Sequence, residues 1–390
     1  MVACCCQPVF YIWTLTEKTK TMQIAEIRIY PFVIPLSEPF VISLGTITHA
    51  RNLLIEIHTD SGIIGLGECS PYPFINGEML EGQIPIAEKL GALWLGKSPL
   101  EIENRLLELD RALSGNLALK SAFDMALYDL NAKLAGMPLY AYLGGANDKV
   151  VYSDRTVSVG EPNQMAKEAK KYLDAGFHSI KVKLGGPYDL DLKRIEAIRA
   201  AVGYKIPLRL DANQAWTVAQ AVRTLRALEK FDIEHCEEPI HAGDLKGLNF
   251  VRKNSPIPIM ADESLFDHKD AVRLLQNDAC DYFNIKLSKS GGLFKALKIV
   301  SIAEGAGIGC QVGCFSESRL AITALMHLVL SRKAIVHYDM DSPLMLKDDP
   351  VIGGVEISTA GKVSLQNESV GIGVTVDFNY LGKAVILSHL

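Results

Sequence analysis

Ser179-Ile180-Lys181-Val182-Lys183-Leu184 reads as a short strand carrying two lysines two residues apart. Successive side chains of a strand point to opposite faces, so Lys181 and Lys183 share one face and bring two ammonium groups to one place. That is costly unless something anionic meets them. Downstream, charged residues recur at the ends of strand-like runs: Asp211, Glu237, Asp262, Lys286 and Asp339. Counted from Lys183, the steps are 28, 26, 25 and 24 residues, and then 53, about two further steps. Each is near the length of one strand-plus-helix unit, so the charged chemistry appears once per repeat.

Working outward, strands at 150–159, 179–184, 208–211, 234–238, 258–261, 282–287, 309–312 and 335–339 alternate with helical patterns such as 162–175, 190–202 and 218–230. Eight strand units in under 200 residues favour a closed parallel barrel, because crossovers are right-handed and eight strands close around a filled interior. In such barrels the active site lies at the C-terminal ends of the strands, where every charged residue named above falls.

Upstream, 24–36, 52–59 and 63–68 read as strands, the last two joined by Asp60-Ser61-Gly62, and 79–95, 99–113 and 117–134 read as helices. Ser98 is placed to cap the second helix with Pro99 at its first position, and Gly136 to close the third. This is a small α+β domain. Residues 1–21 do not share the patterning of the strands and helices after Met22: the apolar run from Val9 to Leu15 lacks a basic lead and is too short to span a bilayer, and they read as an extension outside the fold. The run Gly91 to Ser98 has phosphate-loop spacing but continues a helical pattern, and Gly371-Ile372-Gly373 lacks the third glycine of a dinucleotide fingerprint.

The 390 residues are 48% apolar and 22% charged, with net charge -5, an ordinary globular balance. Nothing here offers a basic footprint for nucleic acid or an anionic membrane. The eight cysteines show no CxxC spacing and sit mostly in apolar runs, as reduced thiols of a cytoplasmic protein do.

A single carboxylate ending a strand is commonly the cap of the next helix. Asp211, Glu237 and Asp262 end consecutive units, so their carboxylates converge, and three clustered carboxylates need a cation to offset their repulsion. An all-oxygen donor set suits Mg2+ rather than zinc. A lone strand lysine is usually a solvated end or an ion-pair partner. Lys286, however, lies across the barrel from the second strand and can face Lys183 over whatever the metal holds. With Lys181 as a like-charged neighbour, Lys183 is placed to lose its proton and act as a base. The combined task is proton abstraction beside a carboxylate.

Lys181-Val182-Lys183, Asp211-Ala212-Asn213, Glu237-Glu238-Pro239, Ala261-Asp262-Glu263-Ser264 and Asn284-Ile285-Lys286 together resemble the motif set of the enolase superfamily, muconate lactonizing enzyme subgroup. The likeness runs from Met22 to Gly373. It implies an α/β fold, a modified TIM barrel (β/α)7β at 149–343 under an N-terminal α+β capping domain at 22–148, with 344–390 returning to complete the cap. It implies Asp211, Glu237 and Asp262 as Mg2+ ligands, Lys183 and Lys286 as catalytic bases on opposite faces, and Asn213, Glu238 and Glu263 behind them. A homo-oligomer is common in the family.

Cycloisomerisation, dehydration to an aryl succinate and racemisation all use this constellation. Asp339-Met340-Asp341 resembles the motif with which dipeptide epimerases hold the substrate's α-amino group, although two solvated loop acids would read the same way. Thr156, Lys181 and Cys314 match further positions that contact the dipeptide there. The resemblance thus implies an isomerase: a dipeptide epimerase acting on Ala-Xaa, with dipeptides of cell wall peptide metabolism as substrates by analogy. Epimerases for acidic dipeptides carry an arginine where Gly45 falls in the loop 43–49, so a small or apolar Xaa such as Ala or Val is expected. The alternatives are an o-succinylbenzoate synthase or muconate cycloisomerase type of enzyme, and a non-catalytic metal-bound barrel serving as a binding protein or scaffold.

Overall fold

The structure, a computed structural model, describes residues 22–365 and 369–389; the extension 1–21 lies outside the described residues. It opens with an antiparallel meander of β1 (Ile24–Ile42), β2 (Gly45–Thr59) and β3 (Ile64–Cys69). Three helices, Leu80–Ala92, Ile102–Ala112 and Leu117–Leu134, accompany this sheet. The third packs so closely on β3 that a Cβ at Gly65 or Gly67 would stand 2.0 or 1.9 Å from the carbonyl oxygens of Ala126 or Ala122. Glycine is therefore required there by approach rather than by backbone angle.

Two expectations for this region are corrected. The second helix starts at Ile102, not at Pro99. The carbonyl of Pro99, which a helix would pair internally, accepts instead from Asn131 Nδ2 at 3.0 Å, and Ser98 Oγ accepts only from the amide of Leu100 at 3.3 Å. The strands of the first hairpin also run further than expected. After a bulge between Pro35 and Phe40, Phe40, Val41 and Ile42 pair with Ile47, Thr46 and Gly45, so the loop 43–49 shrinks to Ser43-Leu44.

The second part carries β4 (Val151–Tyr152), β5 (Arg155–Val157), β6 (Ile180–Lys183), β7 (Leu208–Asp211), β8 (Ile233–Glu237), β9 (Ile259–Ala261), β10 (Tyr282–Ile285), β11 (Gly309–Val312) and β12 (Ile335–Tyr338). The eight strands β5 to β12 form one parallel sheet in sequence order, curled so that its edges meet where the amide of Asp154 donates to the carbonyl of Tyr338 at 3.0 Å. Val182, Leu210 and Cys236 are fully buried on its outward face, while the alternate residues turn into the barrel. The single strand expected at 150–159 is two. At the Ser153-Asp154 corner Ser153 Oγ accepts from the amide of Met340 at 2.8 Å, and β4 leaves the barrel to pair with a later strand.

After the barrel come β13 (Val351–Gly353), β14 (Val355–Ile357), β15 (Lys362–Leu365), β16 (Val374–Val376) and β17 (Val385–Ser388). β15 pairs with β4, and β17 adds an outer antiparallel strand to β1, so the chain's end returns to the capping sheet. The fold is the capped α/β barrel that the sequence implied. Cys69, Cys236, Cys280, Cys310 and Cys314 are free thiols. No helix among the described residues is long and apolar enough to cross a membrane.

Candidate active site

Asp211 and Glu237 are the last residues of β7 and β8, and Asp262 is the first after β9. Paired in register, these neighbouring strands deliver their end carboxylates to one point: an oxygen from each lies within 4.8 Å of the others, at 0–1% exposure. The strand lysines meet them there. Lys183 Nζ donates to Asp211 Oδ2 at 2.6 Å, and Lys286 Nζ, just past β10, donates to Asp262 Oδ2 at 2.7 Å. Each of the two expected bases thus sits against a different carboxylate of the cluster.

Lys181 sits among the carboxylates. It is 2% exposed and stands 2.8 Å from Glu237 Oε2, 2.8 Å from Asp339 Oδ2 and 3.1 Å from Asp211 Oδ2. Burial alone would lower its pKa, but Asp339, Glu237 and Asp211 outweigh burial and hold the ammonium firmly charged. Burial also opposes the charge on Lys286, and Asp262 and Glu237 again prevail.

The carboxylates respond unequally. Burial would raise Asp211, yet Lys183 and Lys181 hold it below the usual carboxylate range, and Lys286 and Lys289 do the same for Asp262. Glu237 is pushed up to about 8 by burial and by the Asp211 charge. Glu263, behind the cluster, is raised by burial and by Asp262, and its Oε2 has no partner among the described residues. A donor set of three buried carboxylates in which one is driven toward protonation fits a hard divalent cation with oxygen ligands.

Lys183, Lys286, Thr156, Lys181, Cys314, Asp339 and Asp341 line one cavity beneath the capping sheet. All the substrate contacts expected from the sequence therefore share a cavity with the two bases. Asp341, 1% exposed, accepts from the amide of Thr156 at 2.9 Å and from Arg155 Nη1 at 3.2 Å. Burial raises its carboxyl and the Arg155 guanidinium opposes that; Asp339 is held low because Lys181 outweighs burial. Asp339 and Asp341, with Cys314, are close enough to share one cationic group. They are not solvated loop acids.

Behind the cluster the expected supporting residues are in place. Asn213 accepts from Lys183 at 3.0 Å and donates to Glu263 at 3.1 Å, while Glu238 accepts from the amides of Asp262 at 2.7 Å and Ser264 at 3.0 Å. Several residues were not anticipated. Asn284 and Gln311 donate to the two oxygens of Glu237 at 2.7 and 3.1 Å, and Lys289 reaches Asp262. The aromatic roof was also missed: Phe40 lies over Lys183 at 5.9 Å, and Phe315 lies over Lys286 at 5.0 Å with Tyr72 stacked on it at 4.8 Å. Asn284 could have been found, since it shares the inward face with Lys286 two residues on.

The family description "Enolase C-terminal domain-like" matches residues 164–380, and "Mandelate racemase / muconate lactonizing enzyme, N-terminal domain" matches residues 24–144. The chain is 47% identical over 360 residues to the D-Ala-D/L-Ala epimerase of Cytophaga hutchinsonii, covering 92% of this chain and 98% of that one. It is 41% identical to the hydrophobic dipeptide epimerase of Enterococcus faecalis, covering 91% and 100%. The solved structure of the dipeptide epimerase from Cytophaga hutchinsonii, complexed with Mg and the dipeptide D-Ala-L-Val, aligns with TM-score 0.91 at 45% identity, covering 94% of this chain and 99% of that one.

Proposed function

The chain belongs to the enolase superfamily, in its mandelate racemase/muconate lactonizing enzyme branch, and on that premise we propose that it epimerises the C-terminal residue of dipeptides Ala-Xaa in which Xaa is small or apolar. The observation that carries the reading is the cavity itself. Two lysines from strands on different sides of the barrel line it, and so does a pair of acids, Asp339 and Asp341. A cycloisomerase or a dehydrating lyase has no use for that second acid pair. A substrate with an ammonium at one end and a carboxylate at the other does.

Asp211, Glu237 and Asp262 would hold Mg2+, which when bound supplies positive charge against the negative charge left as the α-proton departs. Asp339 and Asp341 bind the substrate ammonium and fix which end of the dipeptide enters first. One of Lys183 and Lys286, neutral, takes the α-proton of the second residue; the other, as an ammonium, returns a proton to the opposite face. The α-carbon is inverted and the net charge of the pair is unchanged. Phe40, Tyr72 and Phe315 cover the reacting faces and limit the entry of water.

The preference for a small or apolar Xaa rests on Gly45. The Phe74 ring stands 2.5 Å from where a Cβ at Gly45 would be, and Ile42 and Ile75 line the cavity. No cation is offered at that position to a side-chain carboxylate, so Ala-Ala or Ala-Val should be turned over with at least about tenfold higher kcat/KM than Ala-Glu. The test is α-deuterium incorporation in D2O with Mg2+, followed by mass spectrometry across L,L-, D,L-, L,D- and D,D-dipeptides. Deuterium entering the second residue with inversion supports the reading. Exchange with no dipeptide sinks it and turns the search to succinylbenzoate-type substrates.

A further inference from the structure

A fourth lysine borders the cluster of ligands and bases. Past β10 the chain makes a single helical turn, Leu287–Ser290, which folds Lys289 back beneath Lys286; the amide of Lys289 donates to the carbonyl of Lys286 at 3.0 Å. Lys289 is 0% exposed. Its ammonium donates to Asp262 Oδ1 at 2.5 Å, to the backbone carbonyl of Asp262, and to the carbonyl of Asn284 at 3.0 Å. An ammonium has three protons, and all three are used. Lys289 is therefore no third base: it is saturated and does not line the cavity, whereas Lys286, three residues earlier, does.

The three bonds have a geometric consequence. They lock the Asp262 carboxylate by one oxygen and leave Oδ2, on which Lys286 donates, as the oxygen turned to the cluster. They also tie the end of β9 to β10 through Asn284, whose Nδ2 donates to Glu237 Oε1 at 2.7 Å. One buried ammonium thereby fixes one carboxylate directly and a second through a single residue.

Resting on the reading of Asp211, Glu237 and Asp262 as the Mg2+ site, we infer that Lys289 is the positioning residue of that site, presenting Asp262 through a single fixed oxygen. A positive charge beside a cation ligand has two opposed effects. As a charge alone it repels Mg2+, so its removal would tighten binding; as an anchor it preorganises the ligand, so its removal weakens binding. Groups that orient metal ligands typically govern affinity by about 10- to 100-fold, and the anchoring effect should prevail here.

The experiment uses the full chain and two variants, Lys289→Met and Lys289→Gln, with Mg2+ binding measured by calorimetry and the unfolding temperature measured with and without Mg2+. The expected result is a Kd for Mg2+ raised at least about tenfold, together with a smaller Mg2+-induced rise in unfolding temperature than in the parent. A lysine with only a structural role would lower the unfolding temperature by the same amount in both conditions. That outcome, or a Kd that is unchanged or tighter, overturns the inference. The Gln variant keeps a donor, and its results decide the matter if the Met variant does not fold. Should the parent itself fail to bind Mg2+, the reading of the three carboxylates is wrong and this inference falls with it.

Discussion

Two residues apart on the same inward faces of the same strands, the barrel carries two largely buried clusters of ionisable groups that differ in character. Asp211, Glu237 and Asp339 stand at the mouth; Arg209, His235 and His337 stand one pleat below them. In the lower cluster the guanidinium of Arg209 donates to Glu234 at 2.6 Å, to Asp154 at 3.0 Å and to His337 Nδ1 at 3.0 Å. Its rigid fork is permanently charged. Burial and that charge push His337 down to about 4 and His235 below its ordinary value, so both imidazoles stay neutral. Arg209 stays charged and both histidines neutral near neutral pH, while burial and the nearby Asp339 raise the Asp154 carboxyl well above the usual carboxylate range against the opposing Arg209 charge. At the mouth the cations are lysines, compact charges on flexible stems rather than a rigid fork, and burial with the Asp211 charge raises Glu237 to about 8. The lower end is an ion-pair cluster that ties strands together; the upper end is where we place the proton exchange.

The largest effect should come from the mouth. Lys183→Ala and Lys286→Ala should each lower net epimerisation by up to about 10^4-fold, or about 5 kcal/mol in the barrier. Each should still allow deuterium exchange from the one face that keeps its base. Measuring inversion and exchange separately in D2O checks this. Full inversion in either single variant would falsify the two-base scheme.

Arg209→Met attacks the lower end and should trade rate for stability. It leaves Asp154, at 0% exposure, as an unpaired buried carboxylate, which typically costs about 3–5 kcal/mol. Turnover per folded molecule should stay within about tenfold of the parent. Urea unfolding with activity normalised to the folded fraction distinguishes the two ends. Adding Asp154→Leu should restore most of the stability, because the buried charge leaves with its partner. If Arg209→Met instead abolishes turnover in a fully folded enzyme, the division between the two ends is wrong.

A smaller effect is expected from His337. Its folded pKa of about 4 lies below the unfolded value near 6.5, so the unfolded chain binds the proton first as pH falls. The stability it contributes is present above about pH 6.5 and declines through the window to about 4, where the loss amounts to about 3 kcal/mol. Arg209, Glu234, His235 and Tyr282 surround it. His337→Gln keeps an acceptor for Arg209 and should flatten the stability profile between pH 6.5 and 4.5. An unchanged slope would show that other groups carry the acid sensitivity.

Legibility in the sequence divides along the same line. β7 and β11 were placed to the residue and the other barrel strands, β5 apart, nearly so, because each is a short, largely apolar run and most are closed by a charge. The cluster was legible because Lys183, Asp211, Glu237, Asp262 and Lys286 recur at one interval. Arg209 was in view but carried no signal of its partners: Asp154, Glu234 and His337 come from three other strands or their flanks, and no spacing relates them. Lys289 was hidden for a similar reason, since only the turn Leu287–Ser290 reveals that it folds under Lys286. Phe40, Tyr72 and Phe315 look like core aromatics until β1 and the loop after β11 are seen to converge over the mouth. Repeats expose what a barrel does in every unit; contacts made once, across the barrel, need coordinates.

The smallest effect marks the outer edge of the lower cluster. Glu234 bonds Arg209 at 2.6 Å, the shortest of that residue's three contacts, and distance alone would make it the dominant partner. Its side chain is 32% exposed, however, whereas that of Asp154 is 0% exposed. Water screens the first pair and not the second, so Glu234→Gln should cost less than about 1 kcal/mol and Asp154→Asn several times more. Thermal unfolding of the two variants side by side ranks them. Equal losses would mean that the cluster is governed by contact distance rather than by burial, and the contrast with the mouth would then lie only in which cation each end employs.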